Sequence, residues 1–565
     1  MTVQVRHPSA LREAAEKAPV TGGVRKGVHK LAACLLCAVL ALGVAAPAFA
    51  LDGTAAIGVA KALVTAAANP HTATPQGFRG LPAVASRGLV GTNSGNGTDP
   101  KTTFRSKMCV TNQTSDLRLV FANIIATTGG VETSNTSSIT ITAGVEYPEF
   151  YTVAVTFNGQ ASITIAPGAI AVSDPVGLNI PAGTCFWTRQ AVAQGGSTVW
   201  PLNVQSLFAS GNSGQDGDGI GLKINGATNA SPIVISSVGG DHQFQTGDTA
   251  VISGVTGNTA ANGTWTVTRI NSSTFSLNGS TGNGAWTGGG LALGSDMTKA
   301  GSGYMLGAGG TQMFAPVMVL GGYPSGQNFP WACILGDSIA QGTGDNQPTN
   351  LGWITRGLGN WLTPTMPWVD YAVPGTRASQ FGDLTLQATQ SIVRRTLCLG
   401  APYVFDEYGI NDVNNGVTVA QLQAFTLSIA TSVAARGGRV IDSTLLPNVT
   451  CATNCTTVSD QTPAANESKR TAINDWKRCG EPISGGVAVA CGTAGALVVG
   501  QAGHPVWKVI DPDALVEVNS SGVLTLDGGR WRVDLGQPTT DGTHPTATLH
   551  ATLSAAVPLS QMVAY

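Results

Sequence analysis

Charge is scarce in this 565-residue chain: 11% of its residues are Asp, Glu, Lys or Arg, against 42% that are hydrophobic. The 30 Lys/Arg and 32 Asp/Glu leave a formal net charge of −2 with no basic cluster, so nothing marks nucleic acid as a partner. Histidine is also rare, with seven in all, and no Cys or His group has finger-type spacing, so no zinc site is expected. No apolar run after residue 50 is long enough to span a bilayer, which argues against stable membrane insertion. No internal repeat is present. Low charge does not mean disorder here, because apolar residues are ample and the net charge is small. What is abundant is glycine, 73 residues, together with Thr, Ser, Asn and Val. That composition reads as a strand-rich, loop-rich extracellular protein. The length suggests two to four domains.

The longest apolar run lies at the start. Arg25, Lys26 and Lys30 precede "LAACLLCAVLALGVA", and "APAFA" follows with Ala48 and Ala50 in small-residue positions. This is the pattern of a cleaved signal peptide over residues 1–50. A membrane anchor is the alternative, but about 15 apolar residues is short for a span. Cleavage after Ala50 removes six cationic and two anionic residues and moves the formal charge from −2 to −6. The expected location is therefore secreted, periplasmic or cell-surface. Eight cysteines remain, an even number that suits disulfides in an exported chain. Cys451 with Cys455 and Cys479 with Cys491 are natural local pairs, and Cys109 with Cys185 would close the first β-region. Cys333 lies in a strand that reads as buried core, where a free thiol fits at least as well as a bridge.

Organisation changes along the chain. Residues 51–98, rich in Ala, Gly, Ser, Thr and Pro, read as a linker. Residues 99–217 carry short alternating runs such as "LRLVFANI", "SSITITAG" and "YTVAVTF", which predict the first part of an antiparallel β-sandwich. Residues 218–292 hold several short strands among "TG", "NG" and "GG" turns. This segment resembles the small β-modules of phage-tail-like and cell-surface proteins, related to a half domain of ubiquitin-activating enzymes. Residues 293–328, including "GGTQMFAPVMVLGGYP", resume the strand pattern, so the module reads as an insertion into a sandwich loop.

From residue 329 strands alternate with helices. The strand "WACILG" precedes a helix at 353–362. A strand near 368–373, a helix near 384–398 and the strand "YVFDEYG" come next. A helix follows in which Leu422, Phe425, Ile429 and Val433 recur at helical spacing, capped by Thr418 and ended by Gly437, and then the strand "RVIDSTLLP". This alternation predicts an α/β fold with a doubly wound parallel sheet at 329–565. Ligands of such sheets bind beyond the carboxyl ends of the strands. Ser338, in "WACILGDSIAQGTGDN", lies at one such end.

A serine hydroxyl attacks only if a base takes its proton, a carboxylate orients the base and donors hold the oxyanion. His504, His544 and His550 are the histidines within the α/β segment. "TTDGTHPTATLH" singles out His544, because Asp541 lies three residues before it, although Asp-Gly-Thr is also ordinary turn chemistry. In "DEYGINDV", Asn411 follows a strand end and could aim an amide N–H at an oxyanion, or simply cap a helix. In "VDYAVPGTRASQ", Gly375 offers an unshielded backbone N–H, with Gly382 as a rival. Trp353, Trp361 and Trp368 read as core or rim more readily than as a sugar platform. Gly342-Thr343-Gly344 lacks a phosphate-binding fingerprint and reads as a loop.

Taken in order, Gly336-Asp337-Ser338-Ile339, Gly375, Gly409-Ile410-Asn411-Asp412 and Asp541-Gly542-Thr543-His544 resemble the four blocks of the SGNH hydrolases, the GDSL-type esterases and lipases. The resemblance spans residues 329–565, and "ASITIAPGAIAVSDPVGLNIPAGTCFWTR" resembles the β-sandwich that precedes the hydrolase domain in one branch of that family. It implies a flavodoxin-like α/β domain, with Ser338 as nucleophile, His544 as base and Asp541 as its orienter. The Ser338 and Gly375 amides and Asn411 would be the oxyanion donors. It implies no metal or organic cofactor. The sequence departs from the family in having Ile339 for the usual Leu, and "AVPG" where Asn often stands upstream. No Gly-x-Ser-x-Gly elbow is present, which counts against the α/β-hydrolase arrangement. The expected activity is a secreted carboxylic ester hydrolase acting on an acylated small molecule or polysaccharide, with a carbohydrate acetyl esterase first. A lipase or short-chain esterase is the alternative within that class. A surface or phage-tail-like glycan-binding protein with minor hydrolase activity is the alternative outside it.

Overall fold

Six parallel strands form the sheet on which the rest of the α/β region is built: β1 (Gly88–Leu89), β2 (Ala332–Gly336), β3 (Trp368–Asp370), β4 (Tyr403–Glu407), β5 (Arg439–Ser443) and β6 (Val506–Ile510). Their spatial order is β1-β3-β2-β4-β5-β6. They come from a computed structural model that describes residue 78 and residues 80–562, apart from 97–100, 128–131, 149–151, 194–198, 205–212, 217–220, 238–241, 243, 245, 295–311, 325, 328, 346–351, 360–362 and 384–390. The signal peptide and most of the linker expected from the sequence lie outside the described residues, as do Trp361 and the first part of the helix expected at 384–398.

Among the described residues eight helices accompany the sheet: α1 (Ser338–Gln341), α2 (Gly352–Gly357), α3 (Ala378–Gly382), α4 (Ile392–Cys398), α5 (Ile410–Asn414), α6 (Val419–Ala434), α7 (Glu467–Arg478) and α8 (Ala547–Leu553). The strands are buried on both faces, so they read as continuous apolar runs rather than alternations. Cys333 and Leu335 of β2 pack into one core with α3, α4, α6 and α7. Ala332 and Ile334, pointing the other way, pack into a second core with α1, α2 and α8. Trp353 and Trp368 are fully buried in that second core. Gly382 is a packing glycine: a Cβ there would press on the Phe425 carbonyl of α6 at 2.6 Å. Thr418 begins α6 with a capping box to Gln421.

The strand order reverses beside β2, with β3 on one side and β4 on the other. The loops leaving β2, β3 and β4 therefore diverge at their carboxyl ends, the place where ligands of such sheets bind.

The N-terminal region is β-rich. Strands at 85–86, 101–110, 139–146, 152–155, 163–165, 185–193 and 213–216 form one antiparallel sheet, and those at 115–122, 170–172 and 318–322 form another. The two share a core that includes Phe104, Met108, Phe121, Ile141, Phe186 and Val319. Strand 318–322 pairs with 115–122, so the chain returns to this region after the intervening module. That module is a closed barrel of Gly221–Ala227, Ile233–Ser237, Thr274–Leu277, Gly263–Arg269, Thr249–Ser253 and Leu291–Gly294, in that spatial order. His242 is a satisfied core histidine inside it, bonded to the Phe244 amide and the Thr274 carbonyl.

The β-region and the α/β region hold each other. Strand β1 extends the parallel sheet, the Tyr371 hydroxyl donates to the Val317 carbonyl at 2.9 Å, and Arg394 pairs with Glu132 at 2.9 Å.

Four disulfides form: Cys109–Cys185, Cys333–Cys398, Cys451–Cys455 and Cys479–Cys491. The first joins residues directly opposite in adjacent strands. Cys333 corrects the sequence reading. A buried strand position suits a free thiol at least as well as a bridge, but α4 lies over β2 and brings Cys398 onto it. Among the described residues no helix is long and apolar enough to cross a membrane.

Candidate active site

Strand β2 ends at Gly336, and the chain turns at once into α1. Asp337 caps that helix, its Oδ1 accepting the Ile339 amide at 2.9 Å. Ser338 is therefore held at the head of the helix, 9% exposed. Its hydroxyl donates to His544 Nε2 at 2.7 Å across 206 residues of chain. His544 Nδ1 in turn donates to Asp541 Oδ2 at 2.6 Å. Hydroxyl, imidazole and carboxylate thus form one hydrogen-bonded line.

The loop carrying Asp541 and His544 is built locally. Asp541 Oδ1 accepts the amides of Thr543 at 3.0 Å and His544 at 2.9 Å, an Asx-type turn closed by its own side chain. Partial burial works against the Asp541 charge, but these amides and the His544 ring outweigh it and hold the carboxyl at about 2. Gly542 has φ +88°, and a Cβ there would overlap the Val449 carbonyl, so only glycine lets the loop seat on that strand. On the other side Gly344, φ +87°, lies against the Pro545 carbonyl, which gives the Gly342-Thr343-Gly344 segment a packing role beside His544.

Asn411 and Gly375 come to the same strand ends. The turn holding Gly375 is tied to the strand that leads into Ser338, because Val373 N and the Thr376 hydroxyl both donate to the Gly336 carbonyl, at 3.1 and 2.8 Å. Asn411, in α5, uses its side-chain nitrogen to donate to Asp337 Oδ2 at 2.9 Å and to the Thr376 carbonyl at 3.2 Å. At rest both of its amide hydrogens are engaged. His504 and His550 take no part in the line of Ser338, His544 and Asp541. His504 is buried against the Glu481 carbonyl. His550 donates to the Thr343 carbonyl at 3.1 Å, and burial pushes it down to about 4.

Three buried carboxylates support the site, and sequence reasoning gave them no role. Asp337 is fully buried and pushed up to about 7 by that burial, against the pull of the Ile339 amide. Glu407, at the end of β4, lies under α1 and accepts the Ala340 amide at 3.2 Å. Burial first, then the Asp337 charge, raises its carboxyl well above the usual range. Asp412 accepts the Ala378 and Ser379 amides at 2.7 and 3.0 Å, so α5 grips the start of α3. For Glu407 a signal was present in the sequence: two acidic residues inside the strand "YVFDEY" are unusual for a fully buried strand.

Residues 334–478 match the family model described as the GDSL-like lipase/acylhydrolase family. The matched stretch, about a quarter of this chain, resembles that family. The match contains Ser338, Gly375 and Asn411 and ends before Asp541 and His544. No curated protein matches the chain. Among solved structures it is similar to a GDSL-like lipase from Bacteroides thetaiotaomicron, at 15% identity over 40% of this chain and 84% of that one, with a TM-score of 0.24. It is likewise similar to an acetyl xylan esterase, at 13% identity over 40% and 96% with a TM-score of 0.26. A protein of the G-D-S-L family from Desulfitobacterium hafniense matches at 10% identity over 40% and 96%, also at 0.26.

Proposed function

We propose that this chain is an exported serine esterase that cleaves carboxylic esters through an acyl-enzyme. One observation carries the reading: Ser338 Oγ, His544 and Asp541 stand in a line at 2.7 and 2.6 Å, at the carboxyl ends of a parallel sheet. His544 takes the Ser338 proton as the oxygen attacks the ester carbonyl, and Asp541 keeps the accepting nitrogen turned toward serine. The amides of Ser338 and Gly375 stabilise the oxyanion. Asn411 joins them by exchanging its longer bond, to the Thr376 carbonyl, for the developing negative charge. His544 then protonates the leaving alcohol, and water repeats the sequence on the acyl-enzyme.

The substrate class we favour is an acetylated polysaccharide. The export pattern, the disulfides, the accessory β-domains and the low charge all suit an extracellular polymer. A lipase or broad short-chain esterase is the alternative.

The test is covalent labelling of Ser338 with a fluorophosphonate, alongside p-nitrophenyl esters of increasing chain length and acetylated xylan. We expect labelling of the parent, none of Ser338→Ala, and turnover highest on acetyl groups. An unlabelled parent that hydrolyses none of these esters would overturn the reading. A preference for long acyl chains would move the assignment to a lipase.

A further inference from the structure

The loop that carries Asp541 and His544 belongs to no strand of the sheet, so its distance from the nucleophile and from Asn411 must be set by contacts elsewhere. One set is backbone. Gly542 O accepts Val449 N and Trp531 Nε1, both at 3.0 Å, which seats the loop on the 449–451 strand. The other set consists of side chains and runs toward α5. The Thr543 hydroxyl, between Asp541 and His544 in sequence, donates to Asn448 Oδ1 at 2.9 Å. Asn448 Nδ2 donates to Asn414 Oδ1 at 3.1 Å. Asn414 is the last residue of α5, three residues after Asn411 and so on the same helical face. Its Oδ1 also accepts Asn466 Nδ2 at 2.7 Å, from the start of α7.

Turning one amide alone would set like groups together, whereas turning Asn414, Asn448 and Asn466 together exchanges donor and acceptor along the whole chain, with the Thr543 hydroxyl then accepting; in either arrangement Asn448 bonds both Thr543 and Asn414. Asn448 is itself held firmly, between the end of β5 and a strand closed by Cys451–Cys455.

We propose that Asn448 is a positioning residue that holds the acid–base loop in register with the helix bearing Asn411. The inference rests on the esterase reading above. Asn448 acts through Thr543 on one side and Asn414 on the other, and it takes no part in proton transfer. Without it the loop stays seated on Val449 but loses its reference to α5, and the imidazole spends less time aligned with Ser338.

The measurements are kcat and KM for p-nitrophenyl acetate in Asn448→Ala, Thr543→Val and the double variant, together with unfolding midpoints. Because small misplacements of reacting groups are costly, we expect kcat to fall about tenfold in each single variant, with KM changed by less than about twofold. The double variant should match the singles, since each cuts the same Thr543–Asn448 bond. If Asn448→Ala fails to fold, Thr543→Val, which is nearly isosteric, must still show the loss of kcat. An unchanged kcat, a loss confined to KM, or losses that multiply in the double variant would each overturn the proposal. Fluorophosphonate labelling of the parent separates the two readings. A labelled parent with unaffected variants refutes only the role of Asn448, whereas an unlabelled, inactive parent removes the esterase and this role with it.

Discussion

Replacing Asp541 with asparagine removes one charge and almost no volume. In the parent, Oδ1 is occupied by the amides of Thr543 and His544, and Oδ2 faces His544 Nδ1 at 2.6 Å. Asparagine keeps its oxygen on those two amides, so its NH2 takes the place of Oδ2. That N–H then points at Nδ1 and drives the ring proton to Nε2, the nitrogen that must accept from Ser338. The electrostatic loss can be bounded. Charge centres about 4 Å apart attract by roughly 1 kcal/mol in water and about 4 kcal/mol at an effective dielectric constant near 20. The Asp541 side chain is 50% exposed and that of His544 22%, so the pair lies between these limits. The span corresponds to about 5-fold to about 10³-fold in rate, and the reversed tautomer places the expected loss toward the upper end. We therefore expect Asp541→Asn to lower kcat for p-nitrophenyl acetate by roughly 10²- to 10³-fold, with KM little changed and the far-ultraviolet circular dichroism intact. The carboxyl is held at about 2, so it stays ionised across any assay above pH 4, and its own titration does not confound the comparison. A folded Asp541→Asn variant that keeps kcat within about threefold of the parent would refute the orienting role.

Two further outcomes follow from the packing around the site. Gly542→Ala adds a methyl group that overlaps the Val449 carbonyl at a left-handed φ, and should cost about 1–3 kcal/mol in a urea titration and reduce kcat with it; unchanged values for both would show that the loop does not depend on that contact. The cluster beneath β4 and β5 gives a pH dependence. Burial, then the Asp442 charge, pushes Asp406 up to about 8 and raises Glu481 well above its usual range, while Lys477 pairs with Asp442 at 2.9 Å. The folded chain then keeps protons that the unfolded chain releases near pH 4, so stability falls as pH rises from there through about 8. Melting curves from pH 5 to pH 9 should show a declining Tm in the parent and a shallower decline in Glu481→Gln; a Tm that rises over this interval would contradict the sign.

Much of the α/β region was legible because its signals are local. Buried parallel strands read as apolar runs, α6 shows its apolar stripe and its Thr418 cap, and the Gly-Asp-Ser, Gly-Ile-Asn-Asp and Asp-Gly-Thr-His blocks each sit at an element end. The pairing of Asp541 with His544 could be read from three residues of spacing, because the turn that joins them is closed by the Asp541 side chain itself. Helix extent was less legible: α2 ends at Gly357, short of the span read from the sequence.

What the sequence determined by itself was the chemistry on offer: a serine at a strand end, a histidine with a carboxylate one turn before it, an amide beside another strand end, and cysteines suited to an oxidising compartment. Tertiary structure alone decided that Ser338 and His544 meet across 206 residues, that Cys333 finds Cys398, and that Asn411 spends its resting hydrogens on Asp337 and Thr376. It also placed Glu407 under the helix that begins at Ser338 and Asn448 between the loop of Asp541 and His544 and the helix of Asn411. The physical reason is common to all of these. Each is a contact between elements far apart along the chain, fixed by sheet order and by the faces that neighbouring helices bury, and no window of sequence contains both partners.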